Sequence, residues 1–194
     1  KGYAYVNVVP LIDQDDEDLK THINFEIEKG NLVYFEEITI SGNSKTRDKV
    51  IRRELKVYER ELFSGKRLKR GVANLYRLDF FEDVQINTSK GRRDDQRYLD
   101  VTVKEKATGA FSFGAGYGNV ENFFGTVSVS DKNLFGRGQS LGLKAQLGSK
   151  TQKYTLSFTE PWLFDIPLAA GFDVYNLRRD YDTYDKDSMG FGLR

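Results

Sequence analysis

At 194 residues the chain is long enough for one large or two small domains, and 30 Lys/Arg against 29 Asp/Glu exclude the strong basic field that bulk attraction to nucleic acid needs. The absence of cysteine removes disulfides and thiolate chemistry and is compatible with cytosol or periplasm, while His22 is the one imidazole. No run of about 18 apolar residues occurs, which excludes a helical membrane span but leaves a barrel open, since a barrel strand needs only about 10 alternating residues.

The charge is unevenly spread. Residues 1–106 hold 21 Lys/Arg and 20 Asp/Glu, residues 107–194 only nine of each, and glycine moves the other way, from 6 to 12. Lys1 begins without a charged-plus-apolar leader, so the sequence reads as mature or excerpted. Tyr3 to Val9 and Thr21 to Glu28 alternate and predict a hairpin around the acidic loop Asp13 to Asp18. That loop lacks the central Gly and terminal Glu of a calcium loop, and His22 shares the polar face with Asn24 and Glu26; both are read as solvated. A lone hairpin is marginal in water, so residues 1–30 are expected to be the C-terminal part of a preceding domain.

Residues 31–106 then read as β-α-α-β-β, an α+β layer. The strand Val33–Ile40 closes at Ser41-Gly42-Asn43, and Ser44 is the expected N-cap of a helix Lys45–Leu55 with Val50, Ile51 and Leu55 on one face. A second helix, Gly65 to about Arg77, carries the stripe Leu68, Val72, Leu75 and Tyr76, and the strands Asp83–Thr88 and Tyr98–Lys104 follow. The basic residues Arg47, Lys49, Arg52, Arg53, Lys66, Arg67, Lys69 and Arg70 interleave with Asp48, Glu54, Glu59 and Glu61 and lack stacking aromatics. They read as solvated helix faces, not a nucleic-acid surface.

The run Ile38 to Leu55 together with Leu78-Asp-Phe-Phe-Glu-Asp-Val84 resembles a POTRA domain, the periplasmic repeat of outer-membrane assembly factors. The resemblance implies that 31–106 is a complete last POTRA, that 1–30 ends the one before, and that Phe80 and Phe81 anchor the second helix against the sheet.

From Lys104 to Gly118 the chain changes character. Small residues Ala110, Ser112, Gly114, Gly116 and Gly118 alternate with Phe111, Phe113, Ala115 and Tyr117, a strand whose four glycines imply weak pairing or close backbone approach. Further on, Leu141, Leu143, Ala145 and Leu147, then Tyr154, Leu156 and Phe158, then Leu168, Ala170, Phe172 and Val174, alternate with small or polar residues. One apolar and one wet face suit lipid outside and a lumen inside; a soluble β-sandwich alternates too, and against it stand the strand lengths, the scarcity of proline and the aromatics Tyr117, Phe123, Phe124, Trp162, Phe164, Tyr175, Tyr181 and Tyr184, expected near strand ends. Asp131-Lys-Asn-Leu-Phe-Gly-Arg-Gly138 is followed by a strand rather than a helix, so it reads as a tight turn and not a phosphate loop. That motif, Thr159-Glu-Pro-Trp-Leu-Phe164 and the strand Thr108–Gly118 resemble the start of the barrel of the same assembly-factor superfamily. Residues 107–194 are thus expected to be the first strands, incomplete, of an antiparallel transmembrane β-barrel: five strands, with a sixth opening at Ser188.

No nucleophile stands beside a base and no metal-ligand spacing occurs, so neither enzyme, cofactor nor metal is expected. The resemblance implies an outer-membrane insertase that receives unfolded β-barrel proteins and works with assembly lipoproteins among outer-membrane lipids. A secretion transporter of the same superfamily and a passive pore are the alternatives, several upstream POTRA units favouring the first and two the second. Strand pairing on an open edge is the expected mechanism. The gate strand would be Gly109 to Asn119, with Gly109, Phe111, Phe113, Gly114, Gly116 and Tyr117, and a second edge the POTRA strand Val84, Gln85, Ile86, Asn87 and Thr88. Taken alone, the stretch is expected to self-associate through its unpaired edges.

Overall fold

The computed structural model describes residues 2–3, 6–15, 20–118, 122–181 and 183–194. The acidic loop beyond Asp15 and the end of the gate strand at Asn119 lie outside them. The chain forms two compact units: residues 1–42, 51–78 and 83–104 make one, and residues 43–50, 79–82 and 105–194 the other.

In the first unit, β1 (Val6–Asp15) and β2 (Lys20–Lys29) form an antiparallel hairpin. Its register sets Val8, Pro10 and Ile12 against Ile27, Phe25 and Ile23, one apolar face that stays exposed. Then follow β3 (Tyr34–Ser41), α1 (Asp48–Leu55), α2 (Gly65–Leu78), β4 (Phe81–Lys90) and β5 (Gln96–Glu105). The sheet order is β3-β5-β4, with β3 parallel to the central β5. Because β5 has a neighbour on each side and the helices over it, Leu99, Val101 and Val103 are buried with Phe35, Ile38, Ile51, Leu55, Val57 and Leu75.

Two helix details differ from the sequence reading. Helix α1 begins at Asp48, not Lys45, and Ser44 is no N-cap, because its hydroxyl and the next two amides are taken by Glu105. The cap that does form is Ser64, whose hydroxyl accepts from the Arg67 amide at 3.3 Å. On α2 the buried positions are Gly71 and Leu75, whereas Tyr76 is exposed and its hydroxyl donates to Asp83.

The second unit holds a six-stranded antiparallel meander: β6 (Gly109–Gly118), β7 (Asn122–Leu134), β8 (Gln139–Gly148), β9 (Thr151–Glu160), β10 (Ala170–Asp180) and β11 (Asp185–Leu193). The sixth strand starts three residues before Ser188. Directly opposed residues share a face, so the register converts the alternation into rows. Phe111, Val129, Leu143, Leu156, Val174 and Phe191 form one unbroken apolar row, and Phe113, Val127, Ala145, Tyr154 and Met189 form the next, which Asn176 interrupts. On the opposite face Ser112, Ser128, Lys144, Thr155, Tyr175 and Gly190 line up. Tyr175 and Phe124 fall on this opposite face; Phe124, two residues into β7, lies near a strand end as expected, and Tyr175 does not. Tyr175 sits mid-strand under the Lys153 ammonium, 5.7 Å from its ring centre, and Phe124 covers a glycine.

This is an α+β layer of β-α-α-β-β order followed by antiparallel strands with one lipid-suited face. No helix among the described residues is long and apolar enough to cross a membrane, which is silent about crossing by strands.

Candidate functional site: the β6 edge and its anchored root

Strand β6 pairs with β7 without interruption, from Gly109 opposite Asp131 to Gly118 opposite Asn122. On its other side no described strand pairs with it, since it ends the sheet. A free strand edge presents a row of backbone donors and acceptors. Phe111, 66% exposed, and Phe113, 81% exposed, stand on the apolar face beside that edge, and Tyr117 meets Phe123 edge-on at 5.2 Å. On the polar face Ser112 and Ser128 share a hydrogen bond of 2.6 Å.

Of the β6 glycines, Gly116 has a close neighbour over its bare backbone, whereas Gly109 has no close one and Gly118 faces open space. A side chain at Gly116 would come within 2.5 Å of the Phe124 ring, so the aromatic of β7 lies across the bare backbone. Such aromatic cover stabilises a glycine-bearing strand, and of the two sequence-based expectations close approach holds at this position. Gly114 faces the Thr126 hydroxyl more loosely, at 3.1 Å.

The root of β6 is fixed by a dense polar cluster. Thr108 donates its hydroxyl to Asp131 at 2.7 Å, and the Asn133 amide donates to the same carboxylate oxygen. The buried Asn133 side chain donates to the Thr46 hydroxyl at 2.8 Å and accepts from the Gly138 amide. The Arg47 amide donates to the Gly136 carbonyl at 2.9 Å. Gly136 has φ +70°, and any side chain there would strike the Lys45 carbonyl. The turn Asp131 to Gly138 is thus shaped for docking against the loop 44–47, which its glycine and asparagine spacing did not disclose.

Glu105, at the end of β5, gathers the Ser44 hydroxyl at 2.8 Å and the Lys45 and Thr46 amides at 2.9 and 2.6 Å. Burial pushes its carboxyl up, but the hydrogen bonds from Thr46, Lys45 and Ser44 outweigh it and hold the pKa at about 2. Asp79 is likewise held at about 2 by the ammonium groups of Lys106 and Lys132, which donate to its two oxygens. Glu105 and Lys106 border a cleft of about 430 Å³ lined also by Lys45, Thr108, Asp131, Asn133 and Phe135.

Strand β4, which holds Val84 to Thr88, is an edge of its own sheet. Val84 is buried, Ile86 is half-buried, and Gln85, Asn87 and Thr88 are exposed. The other edge, β3, is partly occupied: Phe35 exchanges hydrogen bonds with Glu61 and Arg60, and Phe63 donates to Val33 next to it. Among the described residues no three His, Asp or Glu side chains gather as metal ligands.

Two family matches divide the chain as its strands and helices do. Residues 33–106 match the POTRA family, a surface antigen variable number repeat, and residues 133–194 match the Omp85 superfamily domain. The chain belongs to the POTRA-plus-barrel proteins of the bacterial outer membrane, its POTRA part in the periplasm. Within that class it resembles the outer membrane protein assembly factor BamA. It is 31% identical over 193 residues to BamA of Nitratidesulfovibrio vulgaris, covering 100% of this chain and 24% of that protein. To BamA of Neisseria meningitidis serogroup B it is 33% identical over 203 residues, covering 100% and 25%. BamA from Haemophilus ducreyi lacking POTRA domains 1–3 superposes with a TM-score of 0.87 at 27% identity, over 99% of this chain and 37% of that one. The chain spans about a quarter of the length of these two curated relatives.

Proposed function

We propose that the chain is the last-POTRA and first-strand segment of an outer-membrane insertase. It would receive unfolded β-barrel proteins at its periplasmic part and template them on β6. The observation that carries the reading is the edge of β6 that no described strand occupies, rooted by Thr108, Asp131 and Asn133 and continuous with an unbroken apolar row, in a chain that aligns along its whole length with proteins named as assembly factors. An incoming strand would complete its backbone hydrogen bonds on that edge while Phe111 and Phe113 keep the lipid side apolar. A lateral gate would open there, on the edge that no described strand occupies. The β4 edge offers a second acceptor surface on the POTRA layer, and outer-membrane lipids and assembly lipoproteins are the further partners proposed. The work is done by pairing, without catalysis, metal or cofactor.

The test places a photocrosslinking residue at Phe113 in the full-length parent protein reconstituted in liposomes, with an unfolded barrel protein as substrate. Crosslinks from position 113 during insertion support the gate. Crosslinks instead from Lys144 and Lys153 on the polar face, with none from 113, would favour passage of a polypeptide through the lumen, the secretion-transporter reading.

A further inference from the structure

The structure sorts the basic residues of the POTRA helices into two kinds. Those facing the loops are neutralised: Arg52 pairs with Glu59 and donates to the Ile38 carbonyl at 2.8 Å, and Arg67 pairs with Glu61 at 2.9 Å. Helix α2 itself, Gly-Lys-Arg-Leu-Lys-Arg-Gly-Val-Ala-Asn-Leu-Tyr-Arg-Leu, contains no acidic residue. Its Lys66, Lys69 and Arg70 are exposed and have no acidic partner among the described residues. Their spacing of i, i+3 and i+4 puts all three on one side, opposite the buried Gly71 and Leu75, with Ala73 completing the stripe.

This side carries one recess and one broad, open hollow. A depression of about 640 Å³ is lined by Gly65, Lys66, Lys69, Arg70 and Ala73, and a second of about 500 Å³ by Gly2, Tyr3, Phe63, Ser64, Lys66 and Arg70. The same two cations, Lys66 and Arg70, border both. We propose that the outer face of α2 is a docking surface for a carboxylate-rich segment of a partner protein. The segment would lie along Lys66, Lys69 and Arg70 with its apolar positions over Ala73 and the aliphatic lysine stems. Charge complementarity selects an acidic occupant. The recess of about 500 Å³ beside Tyr3 and Phe63 gives side chains of such a segment a place to enter, which the plane of a lipid surface would leave unfilled. This surface stands apart from the β6 edge, so its failure would leave the insertase reading intact.

The experiment titrates a fluorescein-labelled peptide, Glu at i, i+3 and i+4 with Ala between, with the full-length parent protein in neutral detergent and follows anisotropy. Replacing Lys66, Lys69 and Arg70 together by Gln should weaken binding roughly tenfold, the combined effect of three exposed ion pairs. Raising ionic strength from about 0.01 M to about 0.15 M should weaken the native protein more than the triple variant. Lys90→Gln, whose ammonium already pairs with Asp94, should change nothing. Exposed substitutions on one helix face leave the buried side untouched, so circular dichroism should match. Equal binding by native and triple-variant protein overturns the proposal. So does displacement of the peptide by phosphatidylglycerol mixed micelles at lipid concentrations below that of the peptide, which would make the face a lipid contact.

Discussion

Removing the Glu105 carboxylate tests whether the loop 44–47 is held by one charge. Its three donors all lie at Ser44, Lys45 and Thr46, so the interaction is contained within residues 31–106. A pKa held at about 2 against 4.5 corresponds to roughly 3 kcal/mol at 1.36 kcal/mol per unit. Glu105 is half-buried, and solvent screening brings the expected loss for Glu105→Gln to about 2 kcal/mol. The sign follows from the depressed carboxyl: the stabilisation is complete above about 4.5 and disappears as pH falls toward about 2. Glutamine does not titrate, so the difference between native and variant should shrink to less than half between pH 7 and pH 3. Urea unfolding at both pH values measures the difference, and hydrogen exchange of the Lys45 and Thr46 amides localises it. A difference below about 0.5 kcal/mol at pH 7, or one that does not narrow at pH 3, would refute the reasoning.

Residues 31–106 should fold alone, and there Phe81→Ala should cost about 3–5 kcal/mol, because Phe81 is 3% exposed and packs edge-on against Phe80; a melting shift of a degree or so would contradict this. In the full-length protein Gly116→Val should impair folding of the barrel itself through the Phe124 ring, and Phe124→Ala in the same chain should restore it, read by heat-modifiable mobility in gels. Gly114→Val meets only the Thr126 hydroxyl, so it should fold and, if β6 is the gate, slow substrate insertion in liposomes; unchanged rates would remove the gate. The 194 residues expressed alone should self-associate in mild detergent through the edges of β6 and β11, and a stable monomer by light scattering would contradict the barrel-strand reading.

Local pattern was enough wherever geometry has a short period. Side chains alternate across a strand whatever its partner, so Leu141, Leu143, Leu156 and Val174 declared their shared face before any register was known, and the POTRA order β-α-α-β-β followed from the switch between helical and strand periods. What the sequence could not decide were groups whose partners lie far along the chain. Ser44 looks like a helix cap because caps are local, yet Glu105, 61 residues away, takes its hydroxyl and moves the start of α1 to Asp48. The glycine of Gly116 looks like looseness until Phe124 is found lying over it, and Gly136 looks like a generic turn until the Lys45 carbonyl is found against it. The same holds for charge. Sequence interleaving made the basic residues of both helices look evenly balanced, but an ion pair depends on distance in space, and folding gives acids to Arg52 and Arg67 while leaving Lys66, Lys69 and Arg70 without one among the described residues.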